Sequence, residues 1–431
     1  MASIKERSPG HFQITVSCGS HINGRKRTET TTFIASPGLT AAQQLKEAEA
    51  YAVKFEEKIH SSTTLDARHL TFEGFSEKWL YEYAAIHLAP KTIEKYTQEL
   101  KNTINPIIGQ KKLSDIRPAL LNSFFVSLTK DGARKDGKPG GYSKASIAKT
   151  KNVVSSVLST AVEWELLEKN PCAHVRLPTA KKMADTIKFF TPEQTTHFLG
   201  FIERPYLVHI AGHDRVDDTG KSYHVDDYDI ERSLPLQFVV LFQLAIYGGL
   251  RKGELLALKF NDFDDKENTV TISKSVTTVK GKKICKEPKT RSSLRTITIP
   301  AALMAKVTAL KKEKAEAKAF WGEEWAGEDW LFTMANGSMM DYNTPYHTFE
   351  KTIERYNASH SAEEQLPKIP FHGLRHTSAT LLISANQDIA TVSKRLGHAH
   401  ASVTLDIYTH ALASADHAAS DALENMLKSN Q

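Results

Sequence analysis

Between residues 370 and 410 the chain reads PFHGLRHTSATLLISANQDIATVSKRLGHAHASVTLDIYTH, and three polar clusters interrupt otherwise apolar helical stretches. The first is His372-Gly373-Leu374-Arg375. In a helix starting here His372 and Arg375 are three apart and share one face. Leu374, Leu381 and Leu382 then take core-facing positions, which leaves the His/Arg pair to line a cleft. The second cluster is Leu396-Gly397-His398. A glycine closes the helix carrying Ile389, Val392 and Leu396, and a histidine follows at once. The third is Tyr408, in a short segment with an apolar face from Thr404 to His410. Two histidines, an arginine and a tyrosine suit a phosphodiester. Arginine offers a planar fork to phosphate oxygens, imidazoles donate or shuttle protons, and a phenol can act as a nucleophile.

HGLRH followed by LGHAHASVTLDIYTH resembles the catalytic core of the tyrosine recombinases, specifically the integrases of phages and conjugative transposons. The resemblance calls for a further arginine well upstream, and AIYGGLRKGELLAL supplies Arg251 with Glu254 three residues on. It also calls for a lysine on a β-hairpin between the two halves. Lys289 in PKTRSSLRTITIP matches that place, just before an alternating strand from Arg295 to Ile299, with Lys286 as its rival. HxxR alone is a weak signal, because four-residue patterns recur by chance. The ordered set of Arg, Lys, HxxR, Gly-His and Tyr is specific.

What the resemblance implies can be stated residue by residue. Arg251 and Arg375 clamp the phosphate and stabilise its pentacoordinate transition state. His372 takes part in proton transfer around the tyrosine or hydrogen-bonds the phosphate, and His398 donates to a non-bridging oxygen. Lys289 is the general acid to the departing 5′ oxygen, and Tyr408 attacks to give a 3′-phosphotyrosyl enzyme. Glu254 orients a neighbouring base. Two arginines and a lysine supply the positive charge, so neither a metal nor a cofactor is expected. His372 and His376 do keep a zinc-compatible i, i+4 spacing, but without the glutamate of HExxH. His376, His400 and His410 therefore read as structural or flanking.

These residues need a scaffold, and the chain is long enough for two or three domains. It has 431 residues and a net charge of +6. That balance permits a nucleic-acid partner without proving one. Cys18, Cys172 and Cys285 lie far apart and have no ligand-like spacing, which suits reduced thiols in a cytoplasm. MASIKERSPG lacks the apolar centre of a secretory signal, and no apolar run is long enough to span a bilayer. The expectation is a protein of the bacterial host's cytoplasm, associated with the nucleoid and not with a membrane.

The expected fold class is α+β multidomain. Residues 1–60 form a small three-stranded β-sheet plus a helix, with Arg25, Lys26 and Arg27 following an Asn-Gly turn. This unit resembles the arm-type DNA-binding domain of integrases; the bland alternative is a capping subdomain with a solvated basic turn. Residues 70–178 form a helical, SAM-like core-binding domain. Phe72, Phe75, Trp79, Tyr83 and Ile86 keep the helical spacing of a buried face. Lys135, Lys138 and Lys144 surround its glycine-rich loop DGARKDGKPGG. A charge run is usually a solvated face, but beside a phosphodiester enzyme it reads as a DNA-backbone contact. Residues 190–410 form a mostly α catalytic domain with a small β-sheet. It opens on a capping box, Thr191-Pro192-Glu193-Gln194. An acidic, histidine-containing stretch at 203–234 reads as a solvated loop insertion; a metal site from His209, His213, Asp214 and His224 has irregular spacing. Residues 411–431 read as a tail helix that docks on its own domain or on a neighbouring protomer.

The partners implied are double-stranded attachment sites of core and arm type, further copies of the chain in a homotetramer on DNA, and a DNA-bending factor or excisionase. Rival functions are a Xer-like chromosome or plasmid dimer resolvase, a catalytically silent DNA-binding protein on the same fold, and a metal-dependent phosphoesterase.

Overall fold

The computed structural model describes residues 2–20, 26–60, 70–177, 188–287, 294–398 and Leu405. The chain divides into two compact units, Met1–Lys182 and Met183–Gln431.

In the first unit β1 (Ser3–Ser8), β2 (His11–Ser20) and β3 (Lys26–Ile34) form an antiparallel sheet in that order. Alternation gives the sheet two different faces. Phe12, Ile14 and Val16 are buried, and Phe12 packs with Ala35 and with Ala48 of α1 (Ala41–His60). The opposite parity of β2 is polar: the Thr15 hydroxyl meets that of Thr30 at 3.3 Å across the strands. Lys26 and Arg27 open β3, and Arg25 lies outside the described residues.

The helical part of this unit comprises α2 (Phe72–Trp79), α3 (Pro90–Glu99), α4 (Pro118–Ser127) and α5 (Lys144–Glu163). Thr71 and Ser143 cap α2 and α5 by accepting from the backbone N–H of Gly74 and Ser146. Phe72, Phe75, Trp79, Phe125, Val154 and Leu158 form its core, and the Trp79 indole donates to the Thr160 hydroxyl at 2.9 Å. Ile86 departs from its expected place, being 74% exposed. A π-turn over Leu80–Ala84 follows α2; its wider winding rotates the face after Trp79, so Ile86 no longer follows the stripe. Helix α5 stops at Glu163, because Glu165 takes a left-handed φ of 57° that ends the helical run. Lys135 and Lys138 in the loop before α5, and Lys144 at the head of α5, are exposed; in the same loop Arg134 pairs with Asp136 at 2.6 Å, and Asp131 accepts from the N–H groups of Gly132 and Gly140.

The second unit opens on α6 (Pro192–Ile202), with Thr191 and Gln194 closing the capping box. The stretch expected to be a loop insertion is instead a β-ribbon. Strand β4 (Tyr206–Ile210) pairs antiparallel with β7 (Tyr228–Arg232), and β5 (His213–Val216) with β6 (Ser222–Val225). Asp217 organises the tip by accepting from the N–H groups of Thr219 and Lys221. The runs YLVHI, SYHV and YDIER on either side of DDTGK carry that signal, and the many aspartates mask it. His209 lies against Asp229 at 3.0 Å and His224 against Asp214 at 2.7 Å. Among the described residues, no group of three or more His, Cys, Asp or Glu is placed to hold a metal ion. No helix of the described residues is long and apolar enough to cross a membrane.

Helix α7 (Leu236–Tyr247) is the unit's centre, buried from Val239 to Ile246. It is followed by the short α8 (Lys252–Leu255) and by a three-stranded sheet of β8 (Phe263–Asp264), β9 (Thr269–Ile272) and β12 (Arg295–Thr298), with β9 in the middle. A separate hairpin, β10 (Ser275–Val279) and β11 (Lys282–Lys286), lies between β9 and β12 in sequence. Helix α9 (Ala301–Trp321), α10 (Thr344–Ala358) and α11 (Gly373–Ser384) pack on α7, and α12 (Ile389–Leu396) packs on α11. The fold class is therefore a small N-terminal three-stranded sheet with a helix, a helical region, and a mixed α/β C-terminal unit.

Candidate active site

Arg251 is delivered by a bend. Gly248 caps α7, and Gly249 takes a φ of 62° that an L side chain rarely adopts. There is also no room for a Cβ at Gly249, which would meet Leu396 Cδ2 at 2.4 Å. The chain turns, buries Leu250, and leaves Arg251 extended at the head of α8. Glu254 then folds back: it accepts from the Arg251 backbone N–H at 2.9 Å and from its Nη1 at 2.8 Å. The Arg251 side chain is 37% exposed and that of Glu254 only 5%.

His372 and Arg375 come from the start of α11, as the HGLR spacing requires. Arg375 is 3% exposed and donates from Nη1 to the carbonyl of Gly249 at 2.6 Å. One arginine thus holds the bend that carries the other. His398 follows α12 after a left-handed Gly397 (φ 69°, ψ 46°), and its N–H donates to the Ser393 carbonyl at 3.0 Å in a Schellman-type closure. Arg251 Nη2 reaches the Gly397 carbonyl at 3.1 Å, so the bend and the His398 turn touch directly. Three separate elements bring Arg251, His372, Arg375 and His398 to one bay. Tyr408 and Lys289 lie outside the described residues. Lys286 ends β11 opposite Ser275.

The bay carries excess positive charge, and its imidazoles respond. Burial, then the charges of Arg375 and Arg251, hold His398 down at about 4. Burial, then His372 and Arg375, bring His376 to about 4. His372 is exposed by surface area, yet packed protein around the ring is the leading cause of its lowered pKa, followed by Arg375 and Arg251. The His372 and His376 rings meet edge-on at 5.0 Å. Burial alone would raise the Glu254 carboxyl, but Arg295 and then Arg251 outweigh it, and its pKa is lowered.

Arg295 is a residue that the sequence pattern did not single out. Its guanidinium forks Glu254 at 3.2 and 2.9 Å, and both side chains are 5% exposed. The signal is nevertheless present: Arg295 shares parity with Ile297 and Ile299 on an alternating strand, which sends it inward. Removing one partner of such a buried pair costs about 3–5 kcal/mol.

Two family models match the chain: the phage integrase family over residues 220–415, and the phage integrase N-terminal SAM-like domain over residues 71–128. The chain belongs to the phage integrase family of tyrosine recombinases. The recombinase is 25% identical to a XerC-like tyrosine recombinase of Caldanaerobacter subterraneus subsp. tengcongensis, over 93% of each chain. It is 26% identical to the ICEBs1 integrase of Bacillus subtilis, over 99% of this chain and 100% of that one. It shares its fold with a fragment of the Tn1549 transposon integrase solved with transposon right end DNA, at a TM-score of 0.62 and 19% identity, over 82% of this chain and all of that one.

The lowered histidines give a pH dependence of defined sign. A histidine whose folded pKa lies below its unfolded value binds more protons when unfolded. The DNA-free recombinase is therefore expected to lose stability as pH falls from the ordinary histidine range toward about 4, the value held by His376 and His398. A DNA phosphate placed at the bay would offset the arginine charges and raise both values; DNA binding at about pH 5.5 should then take up protons, and binding at about pH 8 should not. Calorimetry in buffers of different ionisation enthalpy reads this uptake; equal heats in all buffers at the acid pH would remove it.

Proposed function

We propose that the recombinase integrates and excises a mobile element by cleaving and rejoining DNA strands through a 3′-phosphotyrosyl intermediate. The observation that carries this reading is the bay itself, where Arg251, Arg375, His372 and His398 converge, with Arg375 buried and Arg251 and His372 reaching solvent. The Tyr408 oxygen attacks the phosphorus and the P–O5′ bond breaks. The phenol's proton passes to His372, which is neutral near pH 7 because its pKa is lowered. The departing 5′ oxygen takes a proton from Lys289, with Lys286 as the alternative donor. Arg251 and Arg375 neutralise the non-bridging oxygens, and neutral His398 donates one hydrogen bond to them without adding charge. The phosphotyrosyl bond retains the ester's energy, so a second strand's 5′ hydroxyl reverses the step without ATP.

Double-stranded DNA is the substrate, in line with the Tn1549 fragment solved on transposon end DNA. The reading keeps the division of the sequence into an arm-type unit (1–60), a core-binding unit (70–178), a catalytic unit (190–410) and a tail (411–431). It includes a homotetramer on paired sites, a bending factor or excisionase, and action on DNA in the bacterial cytoplasm. A nicked suicide duplex carrying the element's junction sequence tests it: denaturing electrophoresis should show a covalent protein–DNA adduct insensitive to chelator. Chelator-sensitive cleavage that leaves no adduct would favour the phosphoesterase instead.

The open polar face of the β1–β3 sheet and the basic start of β3 support arm binding. Deletion of residues 1–60 should abolish binding to distal arm sites and spare cleavage of a short core site. Neutralising Arg25, Lys26 and Arg27 should flatten the salt dependence of arm binding, by about 0.9 in slope for each phosphate that is no longer neutralised. Unchanged arm affinity after the deletion would reduce the unit to a cap.

A further inference from the structure

Glu254 is held from two sides, and the second hold extends further than the Glu254 carboxylate. Arg295 on β12 forks both carboxylate oxygens, and its Nε donates to the backbone carbonyl of Arg395 at 2.7 Å. Arg395 in turn donates from Nη2 to two backbone carbonyls, Tyr247 at 2.9 Å and Thr298 at 2.8 Å. Tyr247 is the last residue of α7, at the entrance to the bend that carries Arg251. Thr298 ends β12, the strand that follows Lys286 and Lys289 in the sequence, and Arg395 lies in the last turn of α12, three residues before His398. The two arginines therefore tie together the ends of α7, β12 and α12. Neither belongs to the six residues assigned to the chemistry.

We propose that Arg295 and Arg395 are positioning residues for strand cleavage, fixing the Arg251 bend and the His398 turn in the geometry that receives the phosphate. This rests on the recombinase reading above. Arginine is required at both places by its fork. At 295 one side chain must serve Glu254 with two N–H groups and Arg395 with a third; at 395 one nitrogen must reach two carbonyls. A lysine keeps the charge but not the multiple, directed donors. Displacements of the order of an ångström at a reacting centre are enough to slow a reaction strongly without changing what binds.

The test is single-turnover cleavage of a nicked duplex carrying the element's junction sequence, alongside core-site affinity and thermal midpoint, for the full chain and its variants. Arg295→Gln and Arg395→Gln should each slow cleavage by about 10- to 100-fold with core-site affinity unchanged. Arg295→Lys should recover part of the rate, since it still pairs with Glu254. If Arg295→Gln does not fold, Arg295→Lys carries the same comparison, with a loss of about 10-fold.

The pH profile separates positioning from bulk stability. Glu254 is faced by Arg251 from its own turn, by Arg295 from β12 and by His372 at the head of α11. Without Arg295 its burial is offset only by Arg251, so its pKa rises and it takes a proton at higher pH. The acid limb of the pH–rate profile should therefore shift upward in Arg295→Gln and stay in place in Arg295→Lys and Arg395→Gln. Folded variants cleaving at the full rate overturn the proposal. So does a rate loss that follows the thermal midpoint while the acid limb of Arg295→Gln stays put. An unmutated protein that forms no adduct overturns the recombinase reading, and the proposal with it.

Discussion

Tyr408→Phe should bind the core site with unchanged affinity and form no covalent adduct on the nicked suicide duplex. Phenylalanine differs from tyrosine only by the hydroxyl, so the change in side-chain size and apolar character is minimal. Only the attacking oxygen is removed, and with it the sole route to a phosphotyrosyl bond. The expected result is not a slowed reaction but its absence, while Arg251, Arg375 and the histidines still bind the phosphate. Gel shift and denaturing electrophoresis on the same samples read both halves. An adduct surviving in this variant would place the nucleophile elsewhere, and the two tyrosines of α10 differ in their fitness for it. Tyr356 is 3% exposed and stacks on His360 at 3.8 Å, which keeps its hydroxyl from a DNA backbone. Tyr346 is 39% exposed and lines a cleft of about 230 Å³ with Phe349, Ile353, Lys368 and Pro370. Peptide mapping of a residual adduct should then point to Tyr346 first.

The elements nearest the chemistry are legible in the sequence because their signals are local. Gly248-Gly249 ends an apolar helix and forces a bend, the HGLR spacing sets two polar side chains on one helical face, and Gly397 closes α12 in a left-handed turn. Each depends on a few adjacent residues, and the sequence displays those directly. What escapes depends on partners distant in the chain. In sequence Arg295 is one residue of a strand, and its role emerges only when β12 brings it to Glu254, 41 residues away. Arg395 looks like an ordinary basic residue in the last turn of a helix, yet it reaches Tyr247, 148 residues away. Ile86 shows the same limit on a smaller scale: the α-helical period holds up to Trp79, and a π-turn then changes the phase. In the 203–234 stretch acidic composition outweighs pattern, and a β-ribbon reads as loop. Tyr408, Lys289, Arg25 and the tail after His410 lie outside the described residues, so their roles stand on the family resemblance and on the experiments that test them.

Arg375→Gln and Arg251→Gln should both lose cleavage, but the first should also lose more stability. In the proposed mechanism each arginine neutralises a non-bridging oxygen in the transition state, and deleting one such preorganised donor lowers the rate by about 10²- to 10³-fold. Their surroundings without DNA differ. Arg251 is partly open to solvent, and when it is replaced Glu254 retains the Arg295 fork, so no buried charge is left alone. The stability change should stay at about 1 kcal/mol, the net worth of a typical hydrogen bond, because the partly exposed partner is removed and the buried one keeps its fork. Arg375 is buried and holds the carbonyl of Gly249 at the turn of the bend. Glutamine is too short to restore that bond, and a buried carbonyl left without its donor costs about 1–3 kcal/mol. The freed bend also carries Arg251, so the two defects of Arg375→Gln are coupled: the second arginine is displaced when the first is removed. The double variant should therefore cleave scarcely more slowly than Arg375→Gln alone, whereas independent arginines would multiply their defects. Single-turnover rates for the two variants and their combination, with denaturant unfolding of each, decide it. Multiplying rate defects, or an Arg375→Gln protein as stable as the unmutated chain, would show that Arg375 does not hold the bend and acts on the phosphate alone.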